Sequence, residues 1–190
     1  MPSPNILALI EGKMERLFVN TNFPYVEVVS IDNGSGWTHD RLCDQISTKF
    51  YAKNTAPDLI VVWLDREKQD VDLGLFREGI IKALCERGAN PDTIAVYIPD
   101  RMTENVILSD EVVIRAEFDN PDFVYAHAGK NGKSALSEMY KQTGVNYKET
   151  QHGVRLLKKV RLTRASNHCE RLKLFIEELS TPCWWLDVAV

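Results

Sequence analysis

Two short apolar runs that end abruptly in carboxylates constrain the fold of this chain most strongly. The first is Ile6-Leu-Ala-Leu-Ile-Glu11, and the second is Leu59-Ile-Val-Val-Trp-Leu-Asp-Arg-Glu67. Strands of a parallel sheet are buried on both faces, so their sequences are continuously apolar rather than alternating. Ligand sites in such sheets lie outside the carboxyl ends of the strands. The sequence therefore predicts that Glu11, Asp65 and Glu67 meet at one edge of one sheet.

Three carboxylates at one sheet edge repel one another unless a positive charge lies between them. A hard divalent cation, which takes oxygen ligands, meets that requirement. We therefore expect a divalent cation with oxygen ligands between Glu11, Asp65 and Glu67. The alternative is that Asp65 and Glu67 are ordinary acids at the start of the next helix, where the helix dipole favours negative charge. Glu15, one helical turn after Glu11, is expected either to be solvated or to lie beside the ligands without being one.

Apolar runs and helical periodicity alternate along the first 120 residues. Strands are predicted at 5–10, 23–31, 59–64 and 93–98, and helices at about 13–20, 37–53, 72–87 and 103–116. Strands that alternate with helices form parallel sheets through right-handed crossovers. The sequence therefore predicts an α/β fold, with a Rossmann-like, mostly parallel four-stranded sheet flanked by helices, in a domain that spans residues 1–120.

The chain changes character after residue 120. A short edge strand is predicted at 123–126, and helices are predicted at about 133–143, 152–161 and 166–179. Residues 130–173 carry 11 Lys and Arg against 3 Asp and Glu, whereas residues 1–129 carry 12 against 21. We expect residues 121–190 to form a basic, mainly helical C-terminal appendage that packs on the sheet domain.

The basic segment is a candidate surface for binding nucleic acid. Lys158, Lys159, Arg161 and Arg164 are close enough in sequence to make several phosphate contacts. An acidic body beside a basic segment is expected where carboxylates hold a metal and a separate face meets phosphate. On charge alone, a well-solvated pair of helices explains the same residues equally well.

Hydropathy and cysteine spacing argue against several other classes of protein. No apolar run approaches the roughly 20 residues that span a bilayer, and the N-terminus lacks the basic region of a secretory signal. We therefore expect a cytoplasmic protein that does not act at a membrane. The four cysteines are widely spaced and form no C-x-x-C pair, which disfavours a zinc site or a disulfide framework.

A glycine-rich basic segment, Ala128-Gly-Lys-Asn-Gly-Lys-Ser134, precedes a predicted helix as a P-loop would. The P-loop pattern requires a small residue five positions before Gly132, and His127 stands there. No further parallel strand follows the segment to complete the core of an NTPase. It is better interpreted as a basic glycine loop that touches phosphate.

Four motifs, each at the end of a predicted strand, resemble those of a known family. Leu9-Ile-Glu-Gly-Lys-Met-Glu15 is similar to the EG-x-x-E start of a Toprim domain, and Asn33-Gly-Ser-Gly36 to the glycine-rich loop of Toprim domains in OLD-type nucleases. Val61-Val-Trp-Leu-Asp-Arg-Glu67 is similar to their D-x-D strand end. The stretch from Arg101 to Asp110 is similar to one in small stand-alone Toprim-like bacterial proteins of uncharacterised function.

The resemblance implies a function and a role for each acid. Glu11 would act as general acid or base, Asp65 and Glu67 would hold Mg²⁺ or Mn²⁺, and Glu104 would complete a second metal position. The expected activity is metal-dependent cleavage or transfer of phosphodiesters on DNA or RNA, with an association with bacterial anti-phage defence. The alternative is a non-catalytic Toprim-fold module for binding or regulation. It would act with a partner such as an ATPase, because full-length OLD proteins carry an ATPase half.

Two residues depart from the family pattern. Glu67 stands where the second aspartate of D-x-D is usual, and Val106 stands where the later motif has an aromatic residue. Neither change removes a carboxylate. Asp110 lies on a different face of its helix from Glu104, so it is expected to be a structural or interface acid. A salt bridge between Glu104 and Arg101 would abolish the second metal position.

Overall fold

Four parallel strands form one sheet in the part of the chain that the structure describes. A computed structural model describes residues 4–31, 38–54, 56–65, 72–99 and 101–180. The strands are β1 (Ile6–Ile10), β2 (Val26–Ser30), β3 (Leu59–Trp63) and β4 (Ile94–Tyr97), in the spatial order β2-β1-β3-β4. Every adjacent pair runs parallel. The predicted α/β fold with a four-stranded parallel sheet is confirmed.

Helices cover both faces of this sheet, because alternate side chains of its strands point in opposite directions. Leu7 and Leu9 of β1 pack with α2 (His39–Tyr51) and α3 (Leu73–Cys85). Ile6, Ala8 and Ile10 point to the other face, where α1 (Lys13–Asn22) packs. The central strands are therefore buried on both sides, as their continuous apolar sequences indicate.

The remaining helices pack on the α1 side of the sheet. They are α4 (Thr103–Ser109), α5 (Glu111–Phe118), α6 (Gly132–Gln142), α7 (Val154–Leu157), α8 (Leu162–Ala165) and α9 (Glu170–Ser180). Buried side chains from α4, α6, α7 and α9 join the β1 and β3 side chains in one hydrophobic core. The predicted boundary at residue 120 stays a prediction. No helix in the described ranges is long and apolar enough to cross a membrane.

Three predicted elements of this layer differ in the structure. The helix predicted at 103–116 is interrupted at Asp110, whose carboxylate accepts hydrogen bonds from the Arg161 N–H and the Arg164 guanidinium. The prediction of an edge strand at 123–126 is wrong. The Tyr125 N–H donates to the side chain of Glu111, and not to a backbone carbonyl of a neighbouring strand. The helix predicted at 152–161 is a π turn followed by the four-residue α7.

Candidate functional site

The two central strands end at the point where the strand order reverses. From β1 the chain continues to β2 on one side, and from β3 it continues to β4 on the other. A crevice outside the carboxyl ends of two such strands is the usual ligand site of an open α/β sheet. Glu11 follows β1 directly, and Asp65 lies two residues after β3. The Asp65 N–H donates to a carboxylate oxygen of Glu11 over 3.1 Å, so the structure brings these two acids together.

Glu67, which was assigned to the same site, and the glycine-rich motif at 33–36 lie outside the described residues. The metal-binding role of Glu67 stays a prediction.

The Asp65 carboxylate is oriented by the first residue of α4. Its Oδ1 accepts from the backbone N–H of Thr103 over 3.0 Å and from the Thr103 hydroxyl over 3.2 Å. The indole N–H of Trp63 donates to that same hydroxyl oxygen over 3.1 Å. The end of β3 and the start of α4 therefore hold Asp65 jointly.

Glu104 follows Thr103 and is only 3% exposed. The Tyr147 hydroxyl donates to its Oε1 over 3.3 Å. In the part of the chain that the structure describes, Glu104 makes no ion pair with Lys or Arg, and the Arg101 Nε donates instead to the carbonyl of Gly129. The salt bridge that would abolish a second metal position is therefore not formed between Glu104 and Arg101.

Glu15 is a fourth acid at this site. It is 3% exposed, so the solvated alternative for this residue is excluded. Its carboxylate lies directly over Gly12, where any side chain would collide with it. Gly12 also has a positive φ of 81°, which favours glycine. In the sequence, the signal for the burial of Glu15 was the glycine three residues before it, Gly12, which leaves room for its carboxylate.

Burial and mutual repulsion make the acids of this site hard to ionise. Burial raises the pKa of Asp65 well above its usual range, and the charges of Glu15, Glu11 and Glu104 raise it further. Burial also raises the pKa of Glu15. The pKa of Glu104 rises to about 7, chiefly through burial and then through the charges of Glu149 and Glu15. A cation among these groups would relieve the repulsion.

A lysine that sequence reasoning did not assign to the site lies against it. The Asn105 Nδ2 donates to the carbonyls of His127 and Lys130, which fixes the basic glycine loop beside the start of α4. Gly132 allows the close approach, because a Cβ there would lie 2.7 Å from the Asn105 backbone nitrogen. The loop thereby presents Lys133 to the acids.

Lys133 pairs with Glu149 in the described structure. That hydrogen bond raises the pKa of Lys133 most, and the charges of Glu149, Glu104 and Asp65 contribute as well. The signal in the sequence was a lysine at the end of a glycine-rich loop that opens a helix. Its ammonium is therefore a positive charge at the edge of a strongly acidic site.

The donor chemistry of the site fits a hard divalent cation, since all of its candidate ligands are carboxylate oxygens. Among the described residues, no group of three or more His, Cys, Asp or Glu side chains is arranged to hold a metal ion. Magnesium commonly takes only one or two protein carboxylates and completes its shell with water and substrate phosphate. A site of this kind would therefore need only Asp65 and one further carboxylate, a place that is predicted from the sequence for Glu67.

The four residues that were predicted to contact phosphate differ in whether their side chains are already paired. Lys158 and Arg161 are exposed, and within the described ranges neither side chain is in an ion pair. The Lys159 ammonium lies 3.1 Å from Glu117, and the Arg164 guanidinium lies 2.7 Å from the buried Asp110. Of the structural and interface roles expected of Asp110, this buried pair supports the structural one. The role of all four cations in binding nucleic acid stays a prediction.

Comparisons with known proteins add no independent assignment. Family models, curated proteins and solved structures were compared with the chain, and none of them matches it. The Toprim resemblance therefore depends on the motifs, and a functional proposal depends on the geometry of the site.

Proposed function

We propose that this protein is a divalent-metal-dependent phosphodiesterase that cleaves or transfers DNA or RNA. The observation that carries the proposal is the hydrogen bond between Asp65 and Glu11 at the reversal of strand order, with Glu15 and Glu104 buried beside it. Mutually repelling oxygen ligands at such a crevice are suited to a cation that in turn meets phosphate. The Toprim resemblance is consistent with this chemistry.

The acids have distinct roles in this proposal. Asp65 with Glu67 would hold Mg²⁺ or Mn²⁺, and Glu104 would serve a second position. The metal would supply an activated water and relieve charge on the leaving oxygen. Glu11 would accept or donate the proton, with its carboxylate oriented by the Asp65 N–H. Orientation by a backbone donor keeps a general acid or base within reach of its substrate.

Lys133 would bind a non-bridging phosphate oxygen. Its ammonium is paired with Glu149 and lies within electrostatic range of Glu104 and Asp65. A phosphate that enters beside the acids would exchange one anionic partner of Lys133 for another. Positive charge aimed at a transferring phosphoryl group stabilises the charge that develops in the transition state.

The test is a cleavage assay on single-stranded and double-stranded DNA and RNA, with Mg²⁺ or Mn²⁺ and with EDTA as the metal-free control. Glu11→Gln and Asp65→Asn should each abolish cleavage. Glu138→Gln is the matched control, because Glu138 is an exposed acid on α6 and the variant should cleave like wild type. Wild-type rates in both site variants would contradict the proposal.

A specific result would favour the alternative of a non-catalytic module. If wild-type protein binds Mn²⁺ and nucleic acid but no substrate is cleaved, the site binds without turnover. That result would favour a module that acts with a partner such as an ATPase. A role in anti-phage defence belongs to the same proposal and would be tested by phage challenge of cells that carry Glu11→Gln.

A further inference from the structure

A chain of hydrogen bonds runs from the sheet core to Asp65. The Trp63 indole N–H donates to the Thr103 hydroxyl oxygen over 3.1 Å, and that hydroxyl lies 3.2 Å from Asp65 Oδ1. An indole N–H is a donor only, so the hydroxyl oxygen accepts from Trp63 and its single proton is directed at the acids, with Asp65 Oδ1 at 3.2 Å and Glu15 nearby. The Thr103 N–H donates to the same Oδ1 over 3.0 Å.

The side chains of Trp63 and Thr103, which form this series of hydrogen bonds, are both buried. Thr103 is fully buried and Trp63 is 7% exposed. The Trp63 ring meets Phe18 and Tyr97 edge-on, at centroid distances of 6.4 Å and 5.6 Å. Aromatic contacts of this kind have a preferred geometry. The position of the indole donor is therefore set by the core and not by solvent.

The surroundings of Asp65 make such fixing necessary. Glu11, Glu15 and Glu104 all repel the ionised Asp65 carboxylate, and the Thr103 hydroxyl also faces Glu15. Without fixed donors, the carboxylate would be free to turn away from its neighbours. The Thr103 N–H and the Thr103 hydroxyl both lie within hydrogen-bond distance of Oδ1, and together they fix the orientation of the group.

We infer that Trp63 and Thr103 are positioning residues that fix the orientation of the Asp65 carboxylate and thereby set the affinity of the site for a divalent cation. The inference rests on the proposed function of that site. Neither side chain contacts substrate in this scheme; both act through Asp65. Removal of a hydrogen-bond partner of a metal ligand typically weakens metal binding by about 10- to 100-fold.

Four variants of the full chain test this. Thr103→Val keeps the side-chain shape and removes the hydroxyl, whereas Thr103→Ser keeps the hydroxyl. Trp63→Phe removes the N–H donor. Phe18→Leu is the packing control, because the Phe18 ring contacts the Trp63 ring but has no N–H or O–H group to donate to Thr103.

Calorimetric titration with Mn²⁺ gives the first measurement. We expect Thr103→Val to bind Mn²⁺ about 10- to 100-fold more weakly than wild type, and Trp63→Phe to lose affinity in the same direction. Thr103→Ser should recover most of the wild-type affinity. Phe18→Leu should lower the melting temperature and leave Mn²⁺ affinity unchanged, which separates orientation from general destabilisation.

A second measurement does not depend on any variant of Thr103 folding. In the NMR spectrum of the wild-type protein, the indole N–H of Trp63, assigned by its loss in Trp63→Phe, should exchange slowly with solvent. Titration with diamagnetic Mg²⁺ should shift that resonance, and Asp65→Asn should abolish the shift. A rapidly exchanging or unresponsive indole N–H would overturn the inference.

The outcomes separate this inference from the proposed function. If wild-type protein binds no Mn²⁺, the proposed function fails and the inference fails with it. If wild type binds Mn²⁺ and Thr103→Val binds equally well, the inference alone is overturned. A loss in Phe18→Leu as large as that in Trp63→Phe would also overturn it, because packing would then explain the effect.

Discussion

The backbone N–H of Asp65 donates to the carboxylate of Glu11, 54 residues earlier in the chain, over 3.1 Å. The bond crosses the reversal of strand order, immediately beyond the pairing of Ile10 with Trp63. The Glu11 N–H in turn donates to the Trp63 carbonyl over 2.9 Å. The pairing of β1 with β3 therefore places these two acids side by side at the carboxyl ends of the strands.

Neutralising Asp65 should stabilise the metal-free protein. The pKa of Asp65 is raised by burial and by three neighbouring acids, so its ionised form costs folding free energy. In EDTA at about pH 8, Asp65→Asn should melt at the same temperature as wild type or higher, because its amide oxygen still accepts from Thr103. Thermal unfolding of both proteins measures the difference. A clear fall in melting temperature would mean that the charge of Asp65 is satisfied within the protein.

Glu104 should make stability depend on pH in the metal-free protein. Its pKa is about 7 in the fold, against an ordinary 4.5. Because the folded state binds this proton more tightly, the contribution to stability is full below about pH 4.5 and is lost as pH rises through about 7. A shift of this size corresponds to roughly 3 kcal/mol. Urea unfolding in EDTA from about pH 5 to pH 8 measures the loss in wild type.

Glu104→Gln is the reference for that measurement. It removes the titrating group and keeps an acceptor for the Tyr147 hydroxyl. His127, with a lowered pKa, contributes in the opposite direction, whereas Glu117, whose pKa is lowered from 4.5, titrates below this pH range. They titrate alike in both proteins, so they cancel in the difference. Parallel stability curves for wild type and Glu104→Gln would contradict the prediction.

The sheet and the meeting of Glu11 with Asp65 could be predicted from sequence for a simple physical reason. Strands that are buried on both faces are apolar throughout, and parallel strands deliver whatever follows them to one edge. Both properties are local in sequence. An acid that directly follows an apolar run could therefore be placed at the carboxyl edge of the sheet from sequence alone.

The rest of the site depends on contacts that no local pattern encodes. Lys133 reaches the acids only because Gly132 packs against the start of α4. The partner of Arg164 is Asp110, 54 residues away. The local sequence therefore does not distinguish Arg164 from the other cations of the basic run. Asp110 also stands where a helix of continuous periodicity is interrupted. Long-range hydrogen bonds override local preference at these positions.

Loss of Arg164 should destabilise the protein strongly. Asp110 has a fully buried side chain, and Arg164 donates to both of its oxygens, over 2.9 Å and 2.7 Å. Removing one partner of a buried ion pair costs about 3–5 kcal/mol, because an uncompensated charge remains. We therefore expect a loss of that size in Arg164→Leu, measured by urea unfolding.

Arg161→Ala is the matched control for this loss. Arg161 also binds Asp110, but through its backbone N–H over 2.8 Å, and its side chain is exposed. The variant should unfold within about 0.5 kcal/mol of wild type. Similar stabilities of Arg161→Ala and Arg164→Leu would show that the Asp110 pair contributes little to the fold.

The final prediction concerns how many cations of the basic run bind nucleic acid. Lys159 and Arg164 already face Glu117 and Asp110, whereas Lys158 and Arg161 extend into solvent. Each phosphate contact on duplex DNA contributes about 0.9 to the slope of log affinity against log salt, through released counterions. Reversing Lys158 and Arg161 to glutamate should therefore reduce that slope by about 2. Fluorescence anisotropy across a salt series measures it.

The control must change the net charge by the same amount at another place. Lys82 and Arg87 are exposed at the end of α3, on the opposite face of the sheet. Their reversal to glutamate should weaken binding only slightly and leave the salt slope near that of wild type, because long-range repulsion is screened within about 10 Å at moderate salt. Equal slopes for the two double variants would mean that Lys158 and Arg161 are a solvated face and that nucleic acid binds elsewhere.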